Sequence, residues 1–199
     1  TLLFTHSEDA NINLINEGHS RNKIKFVGNI MIDCYEMYKN SIKRTPIENK
    51  KIKSFIKNQF CLLTLHRPEN VDSFKNLQKI TQRIKSLSKK IRILFTVHPR
   101  TKKNLKNYDL LKKLTSYKNI LLIDPQPYFI NINLIKKSQL VITDSGGIQE
   151  ETSYLNIPCL TLRKNTERPI TISKGTNQLV KLDEIEEKFQ KNRKNKKNK

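Results

Sequence analysis

The chain has no tryptophan, only five glycines and three cysteines, and 18 acidic residues against 39 lysines and arginines. Each shortage closes off a class of protein. Cys34, Cys61 and Cys159 are odd in number, far apart and free of any Cys-x-x-Cys spacing, which excludes a disulfide framework and a zinc ribbon. Cys61 and Cys159 fall in apolar, strand-like runs and read as buried thiols of a protein in the reducing cytoplasm, with no metal site expected. No run reaches the roughly 18 apolar residues of a membrane span, so no membrane partner is expected. The segment Thr1 to His6 lacks the basic and apolar regions of a signal peptide, and it opens without Met on a strand-like run, as if cut from a longer chain.

The excess of bases gives a formal net charge of +21, which invites a nucleic-acid reading. The lysines are scattered among Asn and Ile, however, as on solvated surfaces, and the pattern argues against nucleic acid as the main partner. Lys188 to Lys199 is the exception: bases and Asn dominate, and the segment reads as a disordered tail. The 199 residues allow one domain, or one domain and part of another, with a modest 36% hydrophobic content for the core.

Periodicity gives an alternation of strands and helices. Leu2 to Phe4 and Ile24 to Val27 read as short strands, with a helix after Ser7 and another from Ile30 to about Lys43. Asn40 to Lys53 is polar, contains Pro46 and reads as a loop or domain joint. Phe60 to Leu65 is nearly all apolar, as a strand covered on both faces would be. A helix capped by Asp72 or Ser73 follows, with Phe74, Leu77, Ile80, Ile84 and Leu87 on one face. Further strands are expected at Ile91 to Val97, Ile120 to Ile123, Leu140 to Thr143 and Pro158 to Leu162, with a last short one at Leu179-Val180. Helices are expected at Tyr108 to Leu114, at Tyr128 to Lys137, from Ile148 and from Asp183. The fold class is α/β, a Rossmann-like doubly wound parallel sheet.

Ligands of such sheets bind beyond the carboxyl ends of the strands, and the polar punctuation gathers there. His66-Arg67, His98-Pro99-Arg100, Asp124-Pro125-Gln126, Asp144 to Gly147 and Arg163 to Arg168 all follow strands. Asp144-Ser145-Gly146-Gly147 is a strand, a glycine turn and a helix start, which offers free N–H groups and a positive dipole end to a phosphate. Ser145 adds a hydroxyl, and Glu151, one turn on, is placed to accept from ribose hydroxyls. His66 can donate to a phosphate or transfer a proton, and Arg67 can pair with a phosphate. Each has a plainer reading: a capped turn with a structural histidine, a surface ion pair, and, for Gln126, a side chain that only closes its turn. Glu167 reads as a partner for a loop arginine. No Ser-His-Asp order or glycosidase-like carboxylate pair stands out.

Taken together these strings resemble the non-hydrolysing UDP-N-acetylglucosamine 2-epimerases of bacteria. The resemblance rests on Gly28-Asn29 with Met31-Ile32-Asp33, on His66-Arg67-Pro68-Glu69-Asn70 and on His98-Pro99-Arg100. It continues through Asp124-Pro125-Gln126 with Tyr128, Asp144 to Glu151, and Thr166-Glu167-Arg168-Pro169. It implies the C-terminal half of a GT-B fold. Residues 1–45 would be the end of the N-terminal Rossmann-like domain and its joint, 46–182 the UDP-binding domain, and 183–199 a terminal helix and disordered basic tail. It also implies an isomerase that interconverts UDP-GlcNAc and UDP-ManNAc by UDP elimination and re-addition, without NAD, cofactor or metal. His66 matches the family's active-site histidine, and Gln126, Ser145, Gly146, Gly147, Glu151 and Arg168 match its UDP ligands. Arg67 and His98 match a second, regulatory substrate site. Implied partners are UDP and a UDP-N-acetylhexosamine, a second copy in a homodimer and a separate N-terminal half, since that half carries the family's essential carboxylates. Asn131 departs from the family pattern, which has an aromatic there beside the uracil. Two other readings compete: the donor domain of a GT-B glycosyltransferase, and a non-enzymatic basic interaction protein.

Overall fold

The computed structural model describes residues 1–197. Among these, two parallel sheets form. The small one pairs β1 (Leu3–Thr5) with β2 (Ile24–Phe26), joined through α1 (Glu8–Asn16). Leu2, Phe4, Ile12, Phe26 and Val27 are left exposed on this unit. α2 (Ile30–Arg44) follows, with its N-terminus capped by Asn29, whose side chain accepts from Met31 N–H at 2.9 Å.

The main body begins with α3 (Lys50–Phe55) and continues β3 (Phe60–Thr64), α4 (Pro68–Val71), α5 (Phe74–Ser88), β4 (Arg92–Thr96), α6 (Pro99–Asn107) and α7 (Leu111–Thr115). Then come β5 (Ile120–Ile123), α8 (Tyr128–Lys137), β6 (Leu140–Thr143), α9 (Gly146–Tyr154), β7 (Cys159–Thr161), α10 (Ile170–Ser173), β8 (Asn177–Leu179) and α11 (Ile185–Lys197). The six strands order as β5-β4-β3-β6-β7-β8, all parallel. The chain lays down β3, β4 and β5 toward one edge, then returns past β3 and builds β6, β7 and β8 toward the other. The order therefore reverses between β3 and β6, and the crevice at that point is where such sheets take ligands.

Both faces of the sheet are covered, which is why its central strands carry unbroken apolar runs. Along β3, Cys61 and Leu63 join one core with Leu77, Ile80 and Ile84 of α5, Leu105 of α6 and Phe189 of α11. Phe60 and Leu62 face the other core, with Ile42 of α2, Ile52 of α3 and Ile132 and Ile135 of α8.

Four local expectations fail for identifiable reasons. The expected loop from Asn40 to Lys53 shrinks to residues 45–49, because α2 runs to Arg44 and Asn49 caps α3 by accepting from Lys51 and Ile52 N–H. α6 has a largely polar sequence and was not expected; it stands on two buried side chains, Thr101 and Leu105. Phe74 is 48% exposed at the start of α5 and meets Tyr108 edge-on at 5.4 Å, outside the apolar face expected to hold it. The tail expected to be disordered from Lys188 is helical through Lys197; its last two positions lie outside the described residues.

Buried Asn133 on α8 fastens α2 to the main body, donating to Ile42 O at 2.6 Å and Thr45 O at 3.2 Å, at the end of α2 where carbonyls lack the donor four residues on. Asn133→Ala is expected to cost about 1–3 kcal/mol in urea denaturation, with faster hydrogen exchange in the last turn of α2. Unchanged exchange there would show that the apolar contacts alone hold the helix.

Candidate functional site

Asp144 follows β6 and is fully buried. Its carboxylate accepts from the backbone N–H of His66 and of Arg67, at 3.1 and 2.9 Å, and from Asn70 Nδ2 at 2.9 Å. His66 Nδ1 lies 3.1 Å from it. One buried charge thus binds the chain as it leaves β3 to the chain as it leaves β6. Burial pushes the Asp144 carboxyl up, but the hydrogen bonds from His66, Asn70 and Arg67 N–H outweigh it, and the net displacement is downward from 3.8. His66 moves the opposite way, raised above 6.5 by its hydrogen bond to Asp144. Its half-exposed ring lies 5.3 Å from that of His98.

Beyond Asp144 the chain enters α9 at once. Gly146 and Gly147 form its first turn rather than a sharp turn before it, and neither has a positive φ. What the two glycines allow here is close approach by side chains of other segments. A β-carbon on Gly146 would stand 2.8 Å from Glu167 Oε1, and one on Gly147 3.2 Å from Met31 Cε. Ser145 is the N-cap, yet its hydroxyl makes no capping bond. The helix end therefore keeps an unspent hydroxyl, and the Glu167 carboxylate against Gly146 already marks it as a place where the dipole favours an anion.

One turn further on, Glu150 and Glu151 are both buried. Glu150 is paired: it accepts from Asn29 Nδ2 at 2.9 Å and faces Arg168 Nε at 2.9 Å, an ion pair whose N–H is not aligned for a hydrogen bond. Among the described residues Glu151 has no such partner. Burial, reinforced by the adjacent Glu150 charge, pushes its carboxyl up to about 7. The Tyr128 hydroxyl is also buried, beside Cys34, and burial, with the Glu151 charge, pushes it up to about 12.

Several placements differ from expectation. Gln126 spends its amide on Asp124 O at 2.7 Å, closing its own turn. It lines a separate cavity of about 390 Å³ with Lys102, Leu121 and Ile123, away from the Ser145 turn. Phe129, near Asn131 on α8, packs against Tyr38 at 5.5 Å and Tyr128 at 6.0 Å. His98 caps α6, its Nδ1 accepting from Arg100 N–H at 3.2 Å. Arg67 donates through Nε to Asp144 O at 3.2 Å. Sequence reasoning missed Gln149, which is fully buried and ties α9 to its surroundings. Its Nε2 donates to Ser145 O at 3.1 Å, and its Oε1 accepts from Thr166 at 2.7 Å and Asn177 at 3.1 Å. Asn70 was equally overlooked as the link from Asp144 to Leu162 O, at 3.1 Å. Both stand inside the recognised strings, but a linear sequence does not show which polar residue is buried. Among the described residues, no group of three or more His, Cys, Asp or Glu side chains could hold a metal ion.

The profile of the UDP-N-acetylglucosamine 2-epimerases matches residues 1–199. The chain belongs to that family. It is 42% identical over 187 residues to a UDP-N-acetylglucosamine 2-epimerase of Methanocaldococcus jannaschii, covering 89% of this chain and 50% of the relative. The crystal structure of the M. jannaschii UDP-GlcNAc 2-epimerase, in complex with UDP-GlcNAc and UDP, superimposes with a TM-score of 0.81 at 41% identity, over 91% of this chain and 50% of that one. An E. coli heptosyltransferase with ADP shares the GT-B-type fold alone, at a TM-score of 0.55 and 12% identity, over 90% of this chain and 53% of that one. The chain spans about half the length of the curated epimerases it matches.

Two outcomes follow from the charges of this epimerase-family site. An acid with a depressed value stabilises the fold above its ordinary value of 3.8, and that contribution is lost as pH falls through its folded value. A histidine with a raised value stabilises below 6.5, and that contribution is lost as pH rises through its folded value. Asp144→Asn removes both contributions. It is expected to return the His66 titration toward 6.5 by NMR and to lower stability by about 2–4 kcal/mol; a His66 titration that stays raised would separate the two residues. For Glu151 the sign is reversed. The folded state keeps its proton between 4.5 and about 7, so stability falls as pH rises through that window. Glu151→Gln is expected to be more stable than the wild type at pH 8, by on the order of 1–3 kcal/mol, with the gap closing toward pH 4. Equal urea midpoints at pH 8 would contradict it.

Proposed function

We propose that the chain is the UDP-binding half of a UDP-N-acetylglucosamine 2-epimerase, an isomerase that interconverts UDP-GlcNAc and UDP-ManNAc. The observation that carries this reading is the uncapped start of α9, with Ser145 at its mouth, beside His66 at the point where the strand order reverses. In this reading the diphosphate lies against Ser145, Gly146 and Gly147. The ribose hydroxyls donate to Glu151, the one carboxylate of the buried pair without a partner, while Arg168 is held at the site by Glu150. Gln126 contacts the uridine only if it leaves Asp124 O. His98 forms the rim on which a second, regulatory UDP-sugar would bind, with Arg67 standing between that rim and the diphosphate.

The reaction breaks the C2–H bond and the C1–O bond to UDP, whose β-phosphate leaves with the electron pair; reprotonation of the 2-acetamidoglucal on the opposite face of C2 and re-addition of UDP complete it. His66, kept protonated to higher pH by Asp144, suits the donor role at the leaving phosphate. The base for C2 belongs to a further domain, packed on the exposed apolar side chains of β1 and β2. That domain, a homodimeric assembly and a cytoplasmic location are part of the same proposal.

Calorimetry with UDP tests the site. Ser145→Ala removes a hydroxyl that the fold does not use, so it is expected to leave the unfolding temperature in place and weaken UDP binding about threefold to tenfold. The wild-type chain alone is expected to bind UDP without exchanging the C2 proton of UDP-GlcNAc for deuterium. Epimerisation by the isolated chain would disprove the half-site reading, and failure to bind UDP at millimolar concentration would remove the nucleotide site.

A further inference from the structure

Arg67 after β3 and Arg163 after β7 reach one carboxylate from two sides. Arg67 Nη2 lies 3.2 Å from Glu167 Oε1, and Arg163 Nη1 holds Oε2. The Arg163 side chain is only 9% exposed, whereas that of Glu167 is 43% exposed. The same Oε1 lies against Gly146, 2.8 Å from where a β-carbon would stand. Glu167 therefore places a negative charge at the end of α9, where the helix dipole favours one, and fixes it between two cations.

The loop does not depend on this carboxylate for its shape. Thr166 donates to Gln149 Oε1 at 2.7 Å, Arg168 N–H donates to Thr166 Oγ1 at 3.0 Å, and Thr171 Oγ1 donates to Arg168 O at 2.7 Å. The charge has a different use. Without it, the nearly buried Arg163 would stand unpaired in the empty site, which is costly. A terminal phosphate carries more charge than a carboxylate and has three acceptor oxygens, so it satisfies two guanidinium forks better than Glu167 does.

We propose that Glu167 is the resident counter-ion of the diphosphate subsite, and that the β-phosphate of a nucleoside diphosphate takes its place between Arg67 and Arg163. This rests on the reading of the Ser145 turn as a diphosphate site. The exchange makes Glu167 a specificity-determining residue. A diphosphate reaches both guanidiniums and displaces the carboxylate, whereas a monophosphate stops short and leaves the pair intact.

The test is calorimetry of UDP, UMP and inorganic pyrophosphate with the wild-type chain, Glu167→Gln and Glu167→Asp, each confirmed as folded by its melting curve. Removing the competing charge is expected to tighten UDP and pyrophosphate about threefold to tenfold in Glu167→Gln, while UMP stays within about twofold. Glu167→Asp keeps the charge on a shorter arm and is expected to fall between the two, which carries the test if the glutamine variant does not fold. A structural tie would act on UMP and UDP alike, so equal weakening of both, or no gain for UDP, overturns the exchange. Tighter pyrophosphate binding in Glu167→Gln, with no UDP binding by any variant, would keep the exchange and reject the nucleotide reading. If Glu167→Gln binds neither diphosphate, the exchange is wrong.

Discussion

The buried Asp144 carboxylate joins two strand ends that the order of the chain would otherwise leave independent. β3 and β6 are neighbours in the sheet but are separated in sequence by two complete strand–helix excursions. Sheet hydrogen bonds align the strands, but they do not fix the loops beyond them. Asp144 does so by accepting from His66, Arg67 and Asn70. A buried carboxylate without those donors would be costly, so the loop geometry and the charge are mutually required. The imidazole of His66 is placed by the same group that raises its affinity for a proton. Position and protonation state share one cause.

The rest of the site is organised outward from that joint. Gln149 fixes the start of α9 to β8 and to the loop at Thr166, and Glu150 fixes it to Asn29 at the start of α2. These are buried amides and acids with defined partners, the arrangement that gives a polar core one geometry. Against this background two groups left unspent stand out among the described residues: the Ser145 hydroxyl and the Glu151 carboxylate. A ligand with phosphate oxygens and vicinal hydroxyls is complementary to them.

The sequence made the sheet legible because both of its faces are buried. Runs such as Phe60 to Leu63 and Leu140 to Ile142 carry no polar residue to mislead, and their spacing leaves room for the crossover helices. It also showed that the chemistry gathers at the strand ends. It did not show which polar residues were spent. Gln126 and Glu151 look equally available in the sequence, yet one closes a turn and the other lacks a partner. The glycine pair was legible as a place of close approach but was misread as a turn, because helical φ values and a missing β-carbon leave the same mark in sequence. α6 escaped because Leu105 is its one aliphatic anchor among lysines and amides, too little apolar content to be read as a buried face.

The pair Glu150–Glu151 shows how the fold divides structure from function within two adjacent residues. Glu150 faces Asn29 and Arg168 and holds elements together. Glu151, the next residue, is buried to nearly the same degree with nothing to accept from, and the neighbouring charge makes its ionisation harder still. A fold selected for stability alone would place an amide or an apolar side chain there. An acid at that place suits a donor supplied from outside the chain, as in the proposed ribose contact. An acid without a donor among the described residues is the group at this site that its own fold accounts for least, whereas the pairs are explained by the elements they join.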